Sequence, residues 1–292
     1  MSFFRIFKYL STFSLASLMI LLSSTLVTAD PLTDRLDSGK KLRLGYAVSV
    51  PWAFTTEDGK PTGFVNDLTL LALEEMGIPA SNVEGHVVEW AGLIPGIQAN
   101  RYDLITGGMY ILKSRCENIN FSNPIGIFGD AFMVPKGNPQ GIHNYQDIIR
   151  TGATLATGAG FNTVEAAKKE GVPDSQMLLV AGEMEVLAAI MAGRADAGIM
   201  THAGATAQVE KAGGGKYEVT NPKDLPIWTQ NHVGIGFRKS DTDFIEKFNA
   251  AMLKVIGTKA WMEAGAPHGY TIVQLPSLLG YNEATAYSCA NK

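Results

Sequence analysis

Residues 83–110, VEGHVVEWAGLIPGIQANRYDLITGGMY, decide the fold. Val83 to Trp90 is rich in β-branched and apolar residues and predicts a strand. Leu93 to Ala99 carries Leu93, Ile94 and Ile97 at helical spacing and predicts a short helix, and after an Arg101-Tyr102-Asp103 turn the apolar run Tyr102 to Thr106 predicts a second strand. Strand, short helix and strand in close succession form the unit of a parallel sheet with right-handed crossovers. Toward the N-terminus, Leu42 to Ala47 predicts another strand and Pro51 to Gly63 a loop turning at Asp58-Gly59. Asp67 to Met76 then predicts a helix with Leu68, Leu71 and Ala72 inward. Toward the C-terminus the pattern restarts, with strands at Thr154 to Thr157, Met177 to Val180 and Ala197 to Met200, and helices at Thr163 to Glu170 and Glu183 to Ala192. Two such runs predict an α/β protein of two lobes. Ala131 to Lys136 and Val233 to Arg238 are short apolar stretches that suit two crossings between lobes, and helices at Thr242 to Ile256 and around Trp261 lead back to the first. This assigns 30–132 and 236–292 to lobe 1 and 133–235 to lobe 2.

The first 29 residues are of a different kind. Arg5 and Lys8 precede a charge-free apolar run from Tyr9 to Val27 that closes on Val27-Thr28-Ala29, the charged start, apolar centre and small-residue exit of a secretory signal peptide. Ser11, Ser14, Ser17, Ser23 and Ser24 weaken the run as a membrane anchor. Cleavage after Ala29 would leave 263 residues with 22 basic against 28 acidic side chains, a net charge of −6. Such a surface repels nucleic acid, and no basic stripe offsets it. Export also places Cys116 and Cys289 in an oxidising compartment, where they can pair. Neither cysteine lies near the cleavage site, so no lipid anchor is expected and the mature chain should be free in a periplasm.

Doubly wound sheets present ligands at the carboxyl ends of their strands. Here those ends are aromatic: Trp52 and Phe54 follow the first strand, Trp90 closes the second, and Met109-Tyr110 follow the third. One ring at such a position is ordinary packing, but three on one rim suit a shared pocket for a delocalised or quaternary cation. Arg115 lies five residues beyond Tyr110, and two readings stand: a guanidinium clamp on a ligand carboxylate, or a surface arginine paired with Glu117. In the second half, Thr157-Gly158-Ala159-Gly160-Phe161-Asn162-Thr163 joins a strand to a helix. Asn162 and Glu165 are spaced as a capping pair there, and the amides of that helix start suit a carboxylate reaching over from the other lobe. The glycines match neither a dinucleotide fingerprint nor a phosphate loop. His86, His143, His202, His232 and His268 show no metal-ligand spacing, and there is no nucleophile elbow or Cys-His pair. No catalytic residue, metal or cofactor is expected.

These motifs together resemble the amino-acid-binding type (family 3) of the solute-binding proteins that serve bacterial ABC importers, most of all the ectoine/hydroxyectoine-binding proteins. The resemblance spans Leu42 to Gly280. It is carried by Val88-Glu89-Trp90-Ala91-Gly92-Leu93-Ile94-Pro95-Gly96-Ile97, by Arg101 to Tyr110 with Arg115-Cys116, and by Phe121-Ser122-Asn123-Pro124. Weaker matches are Gly193-Arg194-Ala195-Asp196-Ala197 and Gly234-Ile235-Gly236-Phe237-Arg238-Lys239. It implies the type II periplasmic-binding-protein fold, two α/β lobes joined by two hinge crossings and closing over a ligand. By matching positions it implies an aromatic box of Trp52, Trp90 and Tyr110, a carboxylate clamp at Arg115, and contacts from Gly160, Phe161, Asn162, Thr163 and Thr201 of the second lobe.

It further implies a monomer that hands a small zwitterionic compatible solute to a membrane permease. Two departures matter. Amino-acid binders carry an aspartate after the strand that begins at Asp196, where this chain reads Met200-Thr201-His202. Ectoine binders carry a glutamate two residues before the proline that matches Pro51, where this chain has Ser49. An amino acid or betaine is the alternative ligand. More distant alternatives are a dehydratase-type enzyme, for which His202 and Glu183 are candidates without a visible partner, and a ligand-sensing protein.

Overall fold

Leu42–Tyr46 is buried at every position except Arg43, the pattern of a strand covered on both faces by helices. It sits inside a five-stranded sheet, between Val83–Val87 and Leu104–Ile105, with Gly236–Phe237 and Asn120–Phe121 completing the order. The first three strands run parallel and Gly236–Phe237 runs antiparallel to both its neighbours. A second sheet has the order Met177–Val180, Leu155–Gly158, Ala197–Thr201, Asp130–Pro135, Tyr217–Val219. There too three parallel strands are followed by an antiparallel one. Each sheet thus places the first of its three parallel strands between the other two, and such an arrangement opens a crevice at the strand carboxyl ends. The structure, a computed structural model, describes residues 31–213, 215–275 and 289.

The lobe crossings fall elsewhere than the apolar runs suggest. Ala131 to Lys136 is read above as a crossing, yet Asp130–Pro135 is an interior strand of the second sheet, buried along almost its whole length. The ribbon between lobes is instead Gly126–Phe128 paired antiparallel with Asn231–Val233. A run that is apolar throughout is what a strand covered on both faces demands, whereas the connecting ribbon is only partly buried and mixed in composition. Val233 to Arg238 divides in the same way: Val233 ends the ribbon and Gly236–Phe237 joins the first sheet.

Phe64–Glu75, which begins three residues before the expected helix, packs with Thr242–Val255 and Lys259–Gly265 to cover the first sheet. Its start is tied to the cleft, because Gly63 has φ +100° and a β-carbon there would lie 2.7 Å from the carbonyl oxygen of Trp52. At the opposite, amino end of the strands, Asp103 is 1% exposed and meets Arg35 at 3.1 Å, Arg43 at 2.9 Å and Arg238 at 3.4 Å. Arg238 also pairs with Asp241 at 3.0 Å. This cluster binds the helix Pro31–Asp37, the first strand and the returning chain into one base.

Cys116 and Cys289 form a disulfide with Cα atoms 5.3 Å apart. It fastens Cys289 to the short helix Lys113–Cys116 that carries Arg115. The signal-peptide reading of residues 1–29 lies outside the described residues. Among the described residues no helix is long and apolar enough to cross a membrane, and no cluster of metal-ligating side chains occurs.

Candidate ligand-binding site

A cavity lies between the lobes, lined by Trp52, Trp90, Tyr110 and Arg115 on one side and by Phe161, Asn162, Glu183 and Thr201 on the other, with Ser49, Gly107 and Gly108 completing it. The cavity is small, about 20 Å³. The lobes are therefore almost shut, and polar bonds span the gap. Trp52 Nε1 donates to Thr201 Oγ1 at 3.1 Å and Trp90 Nε1 to the Gly160 carbonyl at 3.0 Å. Ser114 Oγ donates to Glu165 at 2.8 Å, and Ser49 Oγ to Glu183 Oε2 at 2.6 Å.

On the Trp52 side the aromatic wall depends on Gly108, after the strand Leu104–Ile105. A β-carbon on Gly108 would lie 2.5 Å from the Trp52 ring, and one on Gly107 would touch the Trp90 ring at 3.5 Å. Gly108 also has φ +78°, a conformation that side chains rarely adopt. The Trp52 indole can therefore lean over the end of this strand. Trp52 is almost wholly buried, with Phe64 and Phe128 packed at ring distances of 4.7 and 4.6 Å. Trp90 remains partly exposed and meets Phe161 edge-on at 5.4 Å.

Arg115 is 6% exposed, and no ion pair with Glu117 forms there. Its Nη1 donates to the Tyr110 carbonyl and its Nη2 to the Gly160 carbonyl, both at 3.0 Å, and its Cζ lies 5.6 Å from the Trp90 ring centre. Burial lowers its pKa to about 10, which leaves it charged at neutral pH. Two of its five donors are used by carbonyls, so a carboxylate entering the cavity finds the rest of the fork.

Two expected site details differ. Asn162 does not cap its helix: Asn162–Lys169 starts after Phe161 with no side-chain cap. The Asn162 amide instead donates to Asp130 at 2.6 Å, and Glu165 accepts from Ser114 across the cleft. Asp130 outcompetes the cap because it is fully buried, and a buried carboxylate left without donors is costly. Thr163 does not line the cavity. It is fully buried and its hydroxyl pairs with that of Thr157 beneath the loop. Gly160 reaches the site only through its carbonyl. His202 is exposed at the start of the helix His202–Lys211 and lies outside the cavity lining.

Two acids belong to the cleft, Asp130 beneath its lining and Glu183 within it. Asp130 faces the Tyr110 hydroxyl at 3.5 Å and sits opposite Thr201 in the sheet register. Glu183, named above as an acid without a visible partner, has one in Ser49. Burial raises both carboxyls to about 7. The strand-end rule, applied to Met177–Val180 as it was to the first-lobe strands, singles out Glu183. An acid heading an apolar strand is the corresponding signal for Asp130.

Residues 42–264 match the bacterial extracellular solute-binding proteins, family 3, and the chain belongs to that family. A probable amino-acid ABC transporter periplasmic-binding protein of Sinorhizobium fredii is 29% identical over 94% of this chain and 91% of its own length. An L-arginine-binding protein of Pseudomonas aeruginosa is 27% identical over 73% of this chain and 82% of its own. The solved structure of EhuB in complex with hydroxyectoine superposes with a TM-score of 0.75 at 25% identity, covering 88% of this chain and 95% of that one. The fold is that of the type II periplasmic binding proteins, two α/β lobes joined by two hinge crossings, and the chain is a solute-binding protein of the amino-acid ABC transporter type.

Proposed function

We propose that this protein captures a small zwitterionic compatible solute of the ectoine or hydroxyectoine kind in the periplasm and delivers it, as a monomer, to an ABC permease. The observation that carries the reading is that Trp52, Trp90, Tyr110 and Arg115 line one nearly closed interlobe cavity. Aromatic faces attract a delocalised cation by about 0.5 to 2 kcal/mol each as water is excluded. The Arg115 fork, together with the uncapped start of the helix Asn162–Lys169, suits the carboxylate. Binding then works through the hinge. One lobe offers rings and guanidinium, the other polar loop groups, and the solute bridges them, shifting the open–closed equilibrium by its greater affinity for the closed form. Likeness to the hydroxyectoine complex supports the ligand class.

An amino acid is the second reading, favoured by relatives such as the L-arginine-binding protein. A thermal-shift screen of refolded, ligand-free protein against ectoine, hydroxyectoine, betaines and amino acids decides between them, since a ligand at ~100 times its dissociation constant adds ~2.7 kcal/mol. Stabilisation by ectoines at micromolar concentration is the expected result. Stabilisation by an amino acid alone would replace this reading with the second.

A further inference from the structure

We infer that Glu183, steered by Ser49, is the carboxylate that recognises the positive end of the ligand, and that it selects cations bearing N–H groups over quaternary ammonium. The inference rests on the reading of the cleft as the solute site. Of the two acids at the cleft, Asp130 is sealed beneath it, outside the lining and held by Asn162 and Tyr110. Glu183 lines the cavity itself. It is the first residue of the helix Glu183–Met191 and is 9% exposed. Its side chain spans the gap to the other lobe, where the Ser49 hydroxyl donates to Oε2 at 2.6 Å. Gly204 lies beneath it: a β-carbon there would come within 3.1 Å of Oε1, a tight approach that would press on the carboxylate.

No protein cation answers this acid. Burial and the Ser49 hydroxyl are the influences on its titration, whereas Arg115 acts on Glu165, Tyr110 and Asp130. A buried carboxylate with one donor and unused lone pairs is incomplete in hydrogen bonds. A solute that brings an N–H cation completes it. A quaternary ammonium presents methyl groups to the same oxygens, keeps only the attraction of the rings, and leaves the acid unsatisfied.

The test is calorimetric titration of ligand-free wild type and Glu183→Gln with ectoine, hydroxyectoine, proline, arginine, glycine betaine and proline betaine. Proline and proline betaine differ in their N-methyl groups. In wild type the N–H solutes should bind at least ~10-fold more tightly than the quaternary ones. Glu183→Gln should weaken the N–H solutes ~10- to 100-fold, as expected for a lost hydrogen bond to a charged group, and move the quaternary ones less than ~3-fold. The wild-type ratio needs no variant, so it stands whether or not Glu183→Gln folds.

Equal wild-type affinity for the two kinds, binding of no N–H solute at all, or unchanged N–H affinity in the variant each overturns the inference. The two proposals separate cleanly. If only arginine binds and Glu183→Gln loses it, the compatible-solute reading falls and this one stands. If ectoine binds and Glu183→Gln is indifferent, the reverse holds.

Discussion

Asp103 and Glu183 are both carboxylates removed from water, yet they sit in opposite electrostatic company. Asp103 has three guanidinium groups within 3.4 Å at the closed base of the first lobe. Glu183 has a serine hydroxyl and no cation, in the lining of the cleft. The base neutralises its buried charge with residues of its own chain, whereas the cleft leaves a charge to be neutralised from outside. Burial alone therefore does not mark a functional acid; burial without a resident counter-ion, facing a cavity, does.

Removing the acid should have opposite consequences in the two places. Asp103→Ala takes from Arg35 and Arg43 their shared carboxylate and leaves Arg238, itself 8% exposed, with Asp241 alone, and should lower the free energy of unfolding by about 3 kcal/mol. Urea melts would read the loss, and a melt like wild type would mean that the base is not an integral support. Arg115→Ala, at a buried cation of the cleft wall, should leave the urea midpoint far less disturbed. It should weaken zwitterion binding ~100-fold or more through the lost bidentate hydrogen bonds, and an unchanged calorimetric affinity would remove the clamp from the account.

Glu183→Gln supplies the contrast directly. Burial raises the carboxyl to about 7 from an ordinary value of 4.5, so between these limits the folded, ligand-free protein holds a proton that the unfolded chain releases. Its contribution to stability is thus complete below the ordinary value and is lost as pH rises through about 7. At pH 8 the ligand-free variant should be more stable than wild type by on the order of 1 to 3 kcal/mol, with the gap closing near pH 4. Paired thermal melts at the two pH values would show it, and a variant less stable at pH 8 would place Glu183 with the structural acids. The smallest expected effect is at the rim: Trp90→Ala should weaken a cationic solute by about 0.5 to 2 kcal/mol. A smaller loss by calorimetry would make the ring a spacer for Arg115, which lies over it.

The sheet ends tell how far sequence reasoning reaches into the site. The aromatic positions 52, 90 and 110 were legible because each follows a strand visible in its own apolar run, and Arg115 because it sits a fixed few residues beyond one of them. The roles of Asn162 and Thr163 were not. Spacing proposes a helix cap, but a buried aspartate from a distant strand claims the amide first. The hinge was misplaced for a related reason, since an apolar run announces burial without saying on which side of a crossing it lies.

Local periodicity by itself determined that this chain makes two α/β lobes with aromatic residues at the strand ends of the first, because each strand and helix is encoded within a dozen or so neighbouring residues. Only the tertiary structure decided which groups face one another across the cleft. Ser49 and Glu183 are 134 residues apart, and their meeting depends on how two separately specified lobes close, a geometry that no short stretch of sequence contains.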